Sequence, residues 1–167
     1  SRGLGDVYKR QNHIRRRPKE HLLGQLVATE LEDGKLDDEE LLSFCRLLLI
    51  AGNETTTGLI TASARIFYEE PDTLIQVKDK PQLAKSFVEE ALRFYSPFSA
   101  TVRRTTKDVE VAGQAIAAGE LVIPLLASAN RDERVFEAPD TFILDRSPNP
   151  HLGLGFGIHV CLGAHLA

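Results

Sequence analysis

Methionine and tryptophan are missing from this sequence, and only two of its 167 residues are cysteine. Cys45 and Cys161 lie far apart in the chain. That argues against a disulfide framework and makes a reducing cytoplasm the expected compartment. Neither cysteine has a CxxC partner, and nothing else stands at zinc-ligand spacing, so the donor set argues against a zinc centre. Charge of one sign is scarce. The formal net charge is −4, which gives no ground for a nucleic-acid partner. Long apolar runs are scarce as well. The longest, around residues 47–51, is broken by Gly52, Asn53 and Glu54, so no membrane partner is expected. There are no internal repeats.

What remains is the composition of an ordinary globular protein, 43% hydrophobic and 26% charged, with chain enough for a core. The opening SRGLGDVYKRQ has no periodicity and no initiator methionine. Residues 1–11 are expected to be a non-native leader, and residues 12–167 the domain proper. Apolar spacing predicts a helix over residues 20–32, stopped by Gly34. Asp37 and Glu40 form a capping-box pattern ahead of a long helix over about residues 38–68. Pro71 or Asp72 opens a short helix. Pro81 begins another that runs to Tyr95 and ends at Ser96-Pro97. The period then changes. TVRRT, DVEVAG, QAIAAG and ELVIP read as short antiparallel strands and hairpins. Residues 127–150 read as one long irregular segment. The fold class is α+β, mainly helical.

Three stretches carry chemistry. AGNETTT falls in the middle of the long helix. Gly52 weakens a helix, Asn53 and the threonines are mediocre helix formers, and Thr hydroxyls compete for carbonyls one turn back. The apolar flanks LLLI and GLI predict burial. Glu54 and Thr55 therefore read in one of two ways. They are an acid and a hydroxyl at a functional distortion of a buried helix, or they are a polar cluster on a solvent face. In SFVEEALRFYSP, the residues Ala84, Phe87, Val88, Ala91, Leu92 and Tyr95 make one apolar stripe. Glu90 and Arg93 lie well away from it and, on the wheel alone, read as a surface ion pair. The third stretch is HLGLGFGIHVCLGAHLA. Its Cys161 could be a nucleophile with His159 as base, a metal ligand or a small hydrophobe. Haem iron needs only one axial thiolate. A helix expected to start at Cys161 would stabilise that thiolate. Gly155, Gly157 and Gly163 would let the backbone approach a flat cofactor, and His159 could hydrogen-bond a propionate. Cys45, in an apolar helix, reads as inert core.

Taken in order, AGNETT, EALR, FILDR and LGFGIHVCLG resemble the C-terminal part of a bacterial-type cytochrome P-450, from about Asn12 to Ala167. The resemblance implies that the family's N-terminal half and extreme C-terminus are missing. It implies a mainly helical fold with a small antiparallel sheet and a cysteine haem loop. It makes Cys161 the axial thiolate of haem b, with Gly155, Phe156 and Gly163 in the haem loop, and Arg103 and His159 on the propionates. It makes Glu90 and Arg93 a buried ExxR pair joined by Arg146 from FILDR, which overrides the wheel. Thr55 would hold a water or bound peroxide, and Glu54 would relay protons. Ala51 would lie beside the iron, and residues 97–101 would border the substrate. One position departs from the family. Leu154 stands where a Phe is usual, seven residues before the cysteine, which implies altered thiolate shielding and iron potential with ligation intact.

The resemblance implies a haem-thiolate monooxygenase. It would insert one atom of O2 into a small organic substrate, with two electrons from a ferredoxin or flavodoxin-type donor. Two alternatives stand beside it. One is a peroxide-using relative, which the intact Glu54-Thr55 pair disfavours. The other is a truncated chain without activity that at best binds haem weakly.

Overall fold

The computed structural model describes residues 30–31 and 34–165. The chain divides into two compact units, residues 1–51 and residues 52–167. The proposed leader and most of the helix expected over residues 20–32 lie outside the described residues. Within that helix, Glu30 and Leu31 are instead a strand. β1 (Glu30–Leu31) pairs antiparallel with β2 (Gly34–Lys35), Glu30 opposite Lys35. Gly34 opens β2, and the Asp33-Gly34 pair in the sequence favours a turn over a continuing helix here.

α1 (Asp38–Glu69) opens with the expected capping box. Asp37 Oδ1 accepts the N–H groups of Glu39 and Glu40 at 2.8 Å each, and the Asp37 N–H donates to Glu40 Oε2 at 3.0 Å. Those bonds satisfy donors that the first turn leaves open. In the first unit Leu41 and Cys45 are buried. Burial pushes the Cys45 thiol up, which suits an inert core residue. The helix runs on through residues 52–57 without a break. Further along α1, Thr61 donates to Thr57 O and Ser63 to Leu59 O, each reaching one turn back.

In the second unit, α2 (Pro71–Asp79) begins on its proline, and α3 (Leu83–Tyr95) follows. α3 stops at Ser96, whose backbone is left-handed at φ 41. The core joins Ile66 of α1, Phe87 and Ala91 of α3, and Phe142 from the segment beyond. Phe67 stacks on Phe87 at 4.5 Å, and Phe142 meets Phe87 and Phe94 edge-on at 5.7 and 5.9 Å. Each such pair adds about 0.5–1.5 kcal/mol beyond burial.

The expected strands form, but as separate two-stranded ladders instead of one sheet. β3 (Arg103–Arg104) pairs with β6 (Leu121–Val122), and β4 (Val109–Val111) with β5 (Gln114–Ile116). The segment expected to be irregular starts with a short helix, α4 (Leu126–Ala129), and continues in turns to a 3-10 turn over Gly157–His159. Its regularity is hydrogen-bonded to side chains of α3, so no period in the sequence marks it.

Candidate active site

Glu90 and Arg93 are both 0% exposed, so the surface pair read from the helical wheel is wrong. The wheel finds the apolar stripe of α3 but not its second buried side, which is covered by polar backbone from residues 130–146. Arg93 donates to Glu90 through Nε and Nη2, both at 2.8 Å. Its remaining donors reach the carbonyls of Asn130, Pro139 and Thr141 at 2.8–3.1 Å. Arg146 donates from Nε to both Glu90 oxygens, at 3.0 and 3.1 Å, and its other nitrogens hold the carbonyls of Glu137, Ala138 and Thr141. The Ile143 N–H and Asn149 Nδ2 complete the carboxylate's partners. Burial raises the Glu90 carboxyl, but Arg93, the Ile143 N–H and Arg146 more than offset it, so the group lies below its ordinary range. One carboxylate thus organises the whole turn-rich segment by charge-assisted bonds.

That segment leads into the cysteine loop. Cys161 is exposed. Its N–H donates to Leu154 O at 2.7 Å, and the Ala164 N–H donates back to Cys161 O at 3.2 Å. The helix expected to start at Cys161 is, among the described residues, only a turn over residues 162–165. Gly155 has φ +77, and a Cβ there would lie 2.9 Å from His159 O, so only glycine closes this loop without strain. At Gly157, φ +65, a Cβ would meet nothing within 4 Å. On the same loop Phe156, Ile158 and Leu162 are 84%, 96% and 81% exposed. His159 is exposed at the end of the 3-10 turn. Arg103 is exposed in β3, with Nη1 on Thr101 Oγ1 and Val102 O at 2.8 Å.

Glu54 is exposed and Thr55 half-buried on α1, so the burial expected of this stretch from its apolar flanks is not found in this chain. Ile60 beside it is exposed too. Pro97 packs near the same helix, where a Cβ on Gly58 would meet Pro97 Cβ at 3.4 Å. An exposed thiol on a loop with exposed apolar side chains fits a flat macrocycle that would be held by one sulfur. It does not fit a multi-ligand ion site, and no group of three His, Cys, Asp or Glu side chains that could hold a metal occurs among the described residues. Sequence reasoning missed Asn130, Asn149 and His151, which are buried or nearly so and bonded here. An asparagine or histidine inside a loop carries no periodic signal of burial.

The sequence profile of the cytochrome P450 family matches residues 68–167. This chain belongs to the cytochrome P450 family. Cytochrome P450 109 of Bacillus spizizenii is 47% identical over 153 residues, covering 92% of this chain and 38% of that protein. The crystal structure of CYP109E1 from Bacillus megaterium in complex with testosterone matches at TM-score 0.89 and 42% identity, over 95% of this chain and 44% of that one. P450BioI in complex with an acyl carrier protein bearing hexadec-9Z-enoic acid matches at TM-score 0.85 and 42% identity, over 96% and 40%. The chain therefore spans well under half the length of these P450s. Family membership implies a haem cofactor and the use of O2. No helix among the described residues of this P450 chain is long and apolar enough to cross a membrane.

Proposed function

We propose that this P450 acts as a haem-thiolate monooxygenase that inserts one atom of O2 into a small organic substrate. Its two electrons come from a ferredoxin or flavodoxin-type donor in the cytoplasm. The observation that carries the reading is the exposed Cys161 thiol, on a loop that also exposes Phe156, Ile158 and Leu162 and whose approach is tied to buried Glu90. When bound, haem b supplies the iron chemistry that activates dioxygen.

The chain's own residues do the rest. Cys161 binds the iron through Sγ as a thiolate. Gly155 and Gly163 keep the backbone of that loop thin, and Phe156 offers an apolar face to the ring. His159 and Arg103, both exposed cations or donors, hold the propionates. Thr55 orients a water through its hydroxyl, and exposed Glu54 exchanges protons between that water and solvent. Residues 97–101 line the substrate side. Glu90, Arg93 and Arg146 take no part in the reaction and hold the segment before the loop.

Two solved relatives at the same 42% identity carry unlike ligands in their names, a steroid and a protein-borne fatty acyl chain. Resemblance at this level does not carry substrate identity, so the proposal stops at a small organic molecule. Turnover of the full-length protein with labelled dioxygen tests it. One labelled atom should enter the product and the other should leave as water, with two electrons consumed. Product oxygen drawn wholly from solvent, or full turnover on peroxide without electrons, would sink the reading.

A further inference from the structure

We propose that His151 and Asn130 are positioning residues for Cys161, forming a second anchor for its loop that uses neither the Glu90 carboxylate nor Arg146. The proposal rests on the reading of Cys161 as the iron ligand. The His151 side chain is 5% exposed, and its Nε2 meets Glu89 Oε2 at 2.8 Å. Its Nδ1 accepts the Gly153 N–H at 3.1 Å, which assigns the ring proton to Nε2 and the donor role to the bond with Glu89. Between these two residues, the Leu152 N–H donates to Asn130 Oδ1 at 2.7 Å. Asn130 is 0% exposed and is itself held from both ends. Its Nδ2 donates to Ser96 Oγ at 2.8 Å, and its carbonyl accepts from Arg93 Nη1 at 2.9 Å.

Of three consecutive residues, His151 and Leu152 are therefore pinned by Glu89 of α3 and by Asn130, and Gly153 is pinned by the His151 ring. The approach is close, because a Cβ on Gly153 would lie 3.0 Å from Leu92 O. The next residue, Leu154, presents the carbonyl that accepts the Cys161 N–H. Position thus passes from Glu89 and Asn130 to residues 151–153, then to Leu154 O, then to the backbone nitrogen of Cys161. A buried imidazole with both nitrogens bonded holds one orientation, which is what a positioning group needs.

The test is made in the full-length, haem-loaded protein and read by the reduced CO spectrum. Its red-shifted Soret band reports thiolate ligation independently of activity. His151→Ala should convert from the thiolate band to the short-wavelength form about tenfold faster in mild denaturant, the scale of one or two lost buried hydrogen bonds. Glu89→Ala, a milder change at a partly exposed residue, should move the rate in the same direction, and Glu89→Gln, which keeps an acceptor for Nε2–H, should restore it. Asn130→Ala should act as His151→Ala does. Phe67→Leu, chosen because it touches Phe87 and not the loop, should lower overall denaturant resistance without changing the conversion rate at matched stability. If His151→Ala fails to load haem, the two Glu89 variants decide. A wild-type conversion rate in Glu89→Ala, or an equal acceleration in Phe67→Leu, overturns the proposal. Absence of the red-shifted band in the unsubstituted protein overturns the thiolate reading instead.

Discussion

Replacing Glu90 by Gln changes almost no volume and removes one charge. Its consequence follows from what surrounds it. Two guanidinium groups, with side chains 0% and 6% exposed, share this single carboxylate. The amide leaves both cations in place, offers one acceptor oxygen where two served, and turns an N–H toward an arginine. Breaking a buried ion pair by removing one partner costs about 3–5 kcal/mol, because the remaining charge stays uncompensated. With two cations left, the loss should fall at the upper end of that range. Domains are stable by only about 5–15 kcal/mol, so this is a large fraction of the total. An Ile66→Val change in the core should cost about 0.5–1.5 kcal/mol by comparison. Urea unfolding of the full-length variants reads the difference. The same substitution also removes a pH slope. The folded Glu90 carboxyl lies below its ordinary value of 4.5, so the unfolded chain takes up a proton first as pH falls. The stability due to Glu90 is complete above that ordinary value and is lost as pH drops toward the folded one. Glu90→Gln should flatten stability against pH in that window. A loss under about 1 kcal/mol with the acid slope intact would refute the reasoning about the buried carboxylate.

Thr55→Ala should uncouple turnover, with electrons consumed and peroxide released in place of product, and Glu54→Gln should slow oxygen use. Full coupling in both variants would make the polar cluster incidental. Gly155→Ala should lower stability by about 1–3 kcal/mol, through a left-handed backbone and a Cβ 2.9 Å from His159 O, and should shift the thiolate spectrum; Gly157→Ala, with open space around it, should disturb the spectrum less. Asp132, held at about 2 by its hydrogen bonds from Arg134, should stay ionised by direct titration well below its ordinary 3.8, and Arg134→Ala should return it toward that value.

The long elements were legible because their signals are local. The capping box at Asp37, Pro71 at a helix start and Ser96-Pro97 at a helix end each announce a boundary by chemistry within a few residues. The surroundings of α3 were not legible from its own pattern. A helical wheel scores apolar burial, and Glu90 and Arg93 are buried by backbone carbonyls that arrive from residues 130, 139 and 141. Only the order of four motifs corrected the wheel. The burial expected around Glu54 fails for the opposite reason. Its apolar neighbours, such as Ile50 and Ile60, are exposed within this chain, so a hydrophobic flank is not evidence of a partner inside the same chain. The anchors at Asn130 and His151 left no trace, since the bonds that bury them, to Ser96, Leu152 and Glu89, reach 22 to 62 residues along the chain.

The central claim is that Cys161 is the sulfur ligand of the haem. Reduced CO spectra of the full-length protein and of Cys161→Ala test it most directly, with Cys45→Ala as the companion. The red-shifted band should be present in the unsubstituted protein and in Cys45→Ala and completely lost in Cys161→Ala. A normal thiolate band from Cys161→Ala would place the ligand elsewhere and contradict the account.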